Sequence, residues 1–266
     1  MLIPLSDRAS ELGAEVGIVG GSGFYELLTD GVDVEIETPY GAPAAPVTVG
    51  ELAGHRVAFL PRHGREHDYA AHRVPYRANV WALASLGVRA LLGPCSCGSL
   101  QPDVHPGDFV IVDQLVDRTT GRADTFHDVG APDGTPGGEG SVHHQSFAEP
   151  YDADLRAALV DAARATGQTV HDGGTMVIVN GPRFSTRAES TWFRTMDWTV
   201  VNMTGYPEAV LAAEAGLPYA TAALVTDYDA GVDGHEPVTM ASVIRTVSSN
   251  IEHLRAVLEV AIPAIT

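Results

Sequence analysis

Two aspartates, Asp227 and Asp229, stand one residue apart, directly after the apolar run Ala220 to Val225. Where a parallel strand ends, alternate side chains point to the same side, so these two carboxyl groups can converge at the mouth of a sheet. Such a pair suits a purine leaving group. One carboxyl protonates or hydrogen-bonds N7 as a glycosidic bond breaks, and the other accepts from an exocyclic amine. An acidic loop or part of a metal site is the plainer reading, although no third carboxylate lies near in sequence.

Other polar clusters also follow apolar runs. Arg62-His63-Gly64-Arg65-Glu66-His67 comes after Val57 to Leu60, where a guanidinium fork can grip a phosphate; a solvated loop is the alternative. Gly20-Gly21-Ser22-Gly23 follows Val16 to Val19. Backbone without Cβ atoms can approach an anion there, or simply form a tight turn. The glycine spacing does not match a dinucleotide fingerprint. Cys95-Ser96-Cys97-Gly98-Ser99 offers small side chains and free backbone N–H groups for a second wall of an anion pocket, or else small core filler. Asn202-Met203-Thr204-Gly205 places a hydroxyl beside a flexible thioether able to cover a sugar face, unless it is a turn with a packed methionine.

The elements that must hold these groups alternate as βα units. Strands are expected at Val16 to Val19, Val57 to Leu60, Arg89 to Leu92, Phe109 to Val112, Thr175 to Val179, Thr199 to Val201 and Tyr219 to Val225. Helices are expected over Asn79 to Leu86 and over Asp152 to Thr166, the latter stopped by Gly167. A capping box, Thr186 to Glu189, opens another helix. Pro207 sits in the first turn of a helix that ends near Gly216, and Thr239 caps a last one. The stretch from Val129 to Gly140 is rich in Gly, Pro and Asp and reads as a surface loop.

The chain's 266 residues, 45% hydrophobic, make a single α/β domain the simplest organisation, with residues 1–14 as a loosely ordered extension. A net charge of −18 with only 16 Lys and Arg opposes nucleic-acid binding. No run is apolar enough for a membrane span and the start lacks a signal-peptide pattern, so a cytoplasmic location is expected. The two cysteines, Cys95 and Cys97, are too close for a loop-closing disulfide and lack zinc-site spacing.

Taken in order, GIVGGSGF, TPYG, PRHGREH, PYRANVWAL, CGSL, DQLVDRT, GPRFSTRAES, NMTGYPEAVLA and ALVTDYDAG resemble the methylthioadenosine phosphorylase branch of the trimeric nucleoside phosphorylases over nearly the whole chain. The resemblance implies one domain with a central mixed sheet flanked by helices, active as a homotrimer with sites at subunit boundaries. It implies phosphate-dependent cleavage of a 5′-modified adenosine, with phosphate as co-substrate and no metal or organic cofactor. By motif, Ser22, Arg62, His63, Ser96 and Thr204 would hold phosphate and Met203 would lie against the ribose. Phe184 and Ser185 would flank the base, with Asp227 and Asp229 reading its N7 and 6-amino edge. His144 would reach a neighbouring subunit's 5′ pocket, with Met240 and His67 bordering it. Cys95 replaces the family's phosphate-contacting threonine by a weaker donor. The rival readings are a phosphorylase of 6-oxopurine nucleosides or methylthioinosine, a hydrolytic nucleosidase, and a non-catalytic or dehydrogenase-like nucleotide binder.

Overall fold

A computed structural model describes residues 3–21, 28–127 and 143–266. In chain order its first half holds α1 (Ala9–Leu12), β1 (Val16–Gly20), β2 (Thr29–Val34), β3 (Val47–Leu52), β4 (His55–Pro61), α2 (Tyr76–Ser85), β5 (Ala90–Leu92), β6 (Cys95–Ser99), β7 (Phe109–Ile111) and β8 (Gln114–Arg118). The second half adds α3 (Ala153–Ala165), β9 (Val170–Asp172), β10 (Thr175–Val179), α4 (Arg187–Thr195), β11 (Val200–Asn202), α5 (Gly205–Glu214), β12 (Tyr219–Ala220), β13 (Ala223–Asp227) and α6 (Met240–Ile265).

The expected mixed sheet is present, divided in two. One sheet runs β12-β5-β1-β4-β3-β2, the other β8-β10-β11-β6-β13-β7-β9. In the first sheet β12, β5, β1 and β4 are parallel, with Val16 opposite both Val57 and Ala90; in the second, parallel pairs alternate with the antiparallel pairs β11–β6 and β13–β7. All five residues of β1 are buried, as an apolar strand covered on both faces must be. One apolar core gathers α2 and α5, and a second gathers α3 and α6, so helices cover both sides.

The two sheets join through one continuous ladder. Leu91, Gly93 and Cys95 donate in turn to the carbonyls of Pro218, Ala220 and Ala222. The pair β5–β12 of the first sheet thus becomes β6–β13 of the second across Gly93-Pro94 on one strand and Thr221-Ala222 on the other. Gly93 permits the bend, because a Cβ there would stand 2.1 Å from the Tyr219 hydroxyl.

Several boundaries differ from the sequence expectation, each for a physical reason. The single strand expected over Tyr219 to Val225 is two, separated at the seam. Cys95 to Ser99 is itself a sheet strand, so its apolar alternation was hidden by small residues. The β2–β3 pair, β8 and β9 lacked a clear period and are additional. Helix α2 begins at Tyr76, three residues before the expected Asn79. Residues 3–14 are fastened rather than loose: Ser6 donates to Ser85, and Leu12 and Ala14 lie in the core. The capping groups Asp152, Thr186 and Thr239 all accept from backbone N–H groups of the helices they open. The loop expected at 129–140 lies outside the described residues.

Candidate active site

The seam holds the first half of the site. Arg62, just past β4, is 1% exposed, and its Nε and Nη2 donate to Glu208 at 2.7 and 2.8 Å. Nη2 also reaches the Val19 carbonyl and Nη1 the Pro94 carbonyl at the bend. Tyr219 donates to the same Glu208 carboxylate, and Thr221 ties Tyr219 to Gly93. Burial opposes the Arg62 charge, but Glu208 outweighs it and holds the guanidinium protonated. Four of its five N–H groups therefore have partners among the described residues, which leaves one on Nη1, the atom nearest Gly21. The expectation of a free guanidinium fork is corrected: the fork is closed on Glu208, and among the described residues only an edge of Nη1 is left without a partner.

His63 follows at once. Its Nδ1 meets the Tyr69 carbonyl at 2.7 Å and its ring stacks on His67 at 4.5 Å. A carbonyl only accepts, so Nδ1 carries the proton and Nε2 is the outward acceptor. Burial, with Arg62 and His67 adding to it, lowers the pKa to about 4, so the ring is neutral at physiological pH.

Strand β6 runs from this end toward the aspartates. Its burial pattern places Cys95 and Cys97 inside and Ser96 outside. Cys95 lies beside Arg62 and Glu208 with its thiol raised to about 12 by burial, and its N–H is bonded to Ala222. The expected free backbone N–H at Cys95 is thus not available, and Ser96 is the side chain on the open face. Asn202 clamps this region. It donates to the Ser96 carbonyl and accepts from the N–H groups of Thr204 and Gly205, which fixes Met203 and Thr204 opposite β6.

Three residues beyond Cys95, roughly 10 Å at strand rise, Gly98 meets the acidic pair. A Cβ on Gly98 would stand 2.9 Å from Asp227 Oδ1 and 3.3 Å from the Asp229 Cα, so only glycine admits both. Asp227 accepts from Thr226 Oγ1 at 2.7 Å and from the Asp229 N–H at 2.8 Å. Burial, assisted by Asp229, nevertheless raises its pKa to about 6. Asp229 is 2% exposed in a left-handed conformation, φ 45°, and burial raises its pKa as well. Ser185 and Ser190 lie beside its carboxyl. Neither Asp229 Oδ2 nor Ser185 Oγ, both buried, makes a well-formed hydrogen bond, although the two side chains lie within electrostatic reach of each other. Buried polar atoms are seldom left so, and a ligand group could complete them.

The remaining expected residues are spread more widely. Phe184 and Ser185 are half-buried on the stretch before α4. A cleft of about 160 Å³ lined by Val179, Asn180, Ser185, Trp192 and Phe193 opens next to them, though Arg62 and Asp227 do not line it. Met240, 46% exposed, opens α6, and His144 is exposed; among the described residues neither is bonded to the Arg62 or the Asp227 end. Ser22 lies outside the described residues. Sequence reasoning missed Glu208, Asn202 and Gly98. Glu208 had a signal, since an acid inside the apolar run Pro207 to Ala213 needs a buried partner.

A braced guanidinium at one end of a strand and a protonatable carboxyl pair at the other are groups that moving a glycosyl group between a base and an oxyanion would call on. Comparison with known proteins leads to the same class. The phosphorylase superfamily model matches residues 15–263, and the chain belongs to that family. It is 52% identical over 251 residues to S-methyl-5′-thioadenosine phosphorylase of Mycobacterium tuberculosis, covering 94% of this chain and 89% of that one. It is 50% identical over 258 residues to purine nucleoside phosphorylase of Streptomyces coelicolor, covering 97% and 91%. The structure of Schistosoma mansoni methylthioadenosine phosphorylase in complex with adenine superposes with a TM-score of 0.88 at 38% identity, covering 95% and 92%.

Proposed function

We propose that this chain cleaves the N-glycosidic bond of 5′-methylthioadenosine with inorganic phosphate, yielding adenine and 5-methylthioribose 1-phosphate. The observation that carries this reading is the base end. Two buried polar atoms without a well-formed hydrogen bond, Asp229 Oδ2 and Ser185 Oγ, stand beside a carboxyl whose pKa is raised to about 6, at the far end of a strand that starts against Arg62.

Phosphate would sit on the Nη1 edge of Arg62, Ser96 and Thr204, with Ser22 completing the cradle. A protonated phosphate oxygen donates to His63 Nε2. The anion lies under C1′ and stabilises the cation that develops as the C1′–N9 bond breaks. The electron pair of that bond goes to the purine, Asp227 supplies or shares a proton at N7, and a phosphate oxygen bonds to C1′. Asp229 accepts from the 6-amino group, Phe184 flanks the ring, and Met203 covers the ribose. No metal or organic cofactor takes part.

The chain is further proposed to act in the cytoplasm as a homotrimer. His144 and Met240, exposed on the single chain, would complete a neighbour's 5′ pocket, which His67 borders. Among the described residues no helix is long and apolar enough to cross a membrane.

Base release from methylthioadenosine, adenosine and inosine, each with and without phosphate, tests the reading. Rapid adenine release from methylthioadenosine only with phosphate is expected. Equal release without phosphate would make the enzyme a hydrolase, and preference for inosine would make it a 6-oxopurine phosphorylase.

A further inference from the structure

Outside the residues assigned to substrate, one half-buried cation joins the two loops that would enclose the sugar and the base. Arg122 follows β8. Its Nη1 donates to the Tyr206 carbonyl and, at 3.2 Å, to the Tyr76 hydroxyl; its Nη2 donates to the carbonyls of Asn180 at 3.0 Å and Met203 at 2.8 Å. All of these acceptors are neutral, and burial accordingly lowers the pKa of the guanidinium. Asn180 begins the stretch that leads to Phe184 and Ser185, while Met203 and Tyr206 bracket Thr204.

The planes of a guanidinium fix two acceptors on each terminal nitrogen, so Arg122 sets the separation of these loops rather than simply filling space. Its own segment is fastened on both sides. Asp124 accepts from the Tyr206 hydroxyl at 2.8 Å, and Glu214 takes Thr125 Oγ1 and the Phe126 N–H, each at 2.7 Å. Thr204 lies within that second loop but has its own support in Asn202, and Arg62 at the phosphate end is held by Glu208. We infer that Arg122 is a positioning residue that sets the gap between the Asn180–Ser185 and Met203–Tyr206 loops, and so governs nucleoside capture without governing phosphate capture. This inference rests on the phosphorolysis reading above.

The test is steady-state kinetics of wild type, Arg122→Ala and Arg122→Lys, with nucleoside and phosphate varied separately. Wild-type turnover that needs phosphate establishes the underlying reading independently of the variants. In R122A the nucleoside KM should rise about tenfold or more while the phosphate KM stays within about twofold, since remote misplacement costs catalysis without removing the anion's own contacts. Guanidinium chloride at roughly 20 mM should restore part of the lost kcat/KM in R122A and not in R122K, whose single ammonium cannot span the carbonyls. An unchanged nucleoside KM in R122A would overturn the inference. So would an equal rise in both KM values with no response to guanidinium, or failure of both variants to fold, because either would make Arg122 a general structural support.

Discussion

The two ends of the proposed pocket are finished to different degrees by the protein itself. At the seam, Arg62 has a buried carboxylate, two carbonyls and a tyrosine behind that carboxylate to hold it, and the charge is fully compensated before any anion arrives. At the aspartates, burial raises both carboxyl pKa values, Asp229 adopts a left-handed backbone conformation, and Oδ2 makes no well-formed hydrogen bond. The difference teaches where substrate binding should contribute. On the proposed function, the anion would meet a rigid donor that reorganises little, whereas the purine would relieve an uncomfortable arrangement by bonding to it.

The most drastic way to break the comparison is at the finished end. Glu208→Ala leaves the Arg62 charge buried and unpaired, a change that costs about 3–5 kcal/mol. Thermal melts should fall by roughly 10 °C, with phosphate-dependent turnover lost. A melt unchanged by E208A would mean that Arg62 is not committed to this pair.

At the unfinished end the fold should survive while chemistry fails. Asp227→Asn is expected to lower adenine release by about 10²–10⁴-fold, with a melting temperature equal to or above wild type. A shift toward 6-oxopurines should accompany the loss, which competition between adenosine and inosine measures. The pH dependence sharpens the point. Because the folded pKa of Asp227 is raised from 3.8 to about 6, this group favours the fold most below pH 4, and that benefit is lost as pH rises through 6. The kcat/KM advantage of wild type over D227N should likewise shrink above about pH 6, where the free-enzyme acid ionises. Phosphate ionisation is common to both proteins and cancels in that ratio. A ratio flat from pH 5 to 8 would remove Asp227 as the proton source.

Gly98→Ala should have a smaller effect. Its Cβ would press on Asp227 Oδ1, so the nucleoside KM should rise about tenfold while phosphate KM is unaffected. Smallest of all is Cys95→Thr. With its side chain inside and its N–H bonded to Ala222, the phosphate KM should move by no more than about twofold. A large improvement would show that position 95 faces the anion.

Much of this arrangement was legible in the sequence wherever apolar periodicity ended at polar residues. The β1, β4, β10 and α3 segments declare themselves by continuous or 3.6-residue apolar spacing, and the caps Asp152, Thr186 and Thr239 by type. The seam was not legible. Gly93-Pro94 and Thr221-Ala222 look like ordinary interruptions until the ladder from Leu91 to Cys95 is seen to pass through them. Strand β6 was hidden because its small residues carry no hydrophobic signal, and α1 because four residues are too few to show a period. The site residues stood out by chemical type, as Arg62 and Asp227 did. Their supports did not: Asn202 and Arg122 act through backbone carbonyls and N–H groups, contacts for which no residue pattern exists.

The most direct measurement is a crystal structure with phosphate and a non-cleavable 5′-methylthio nucleoside bound together. The anion is expected on the Nη1 edge of Arg62, with the purine N7 on Asp227 and its 6-amino group on Asp229 Oδ2. A base turned away from Asp227, or an anion bound apart from Arg62, would contradict that expectation.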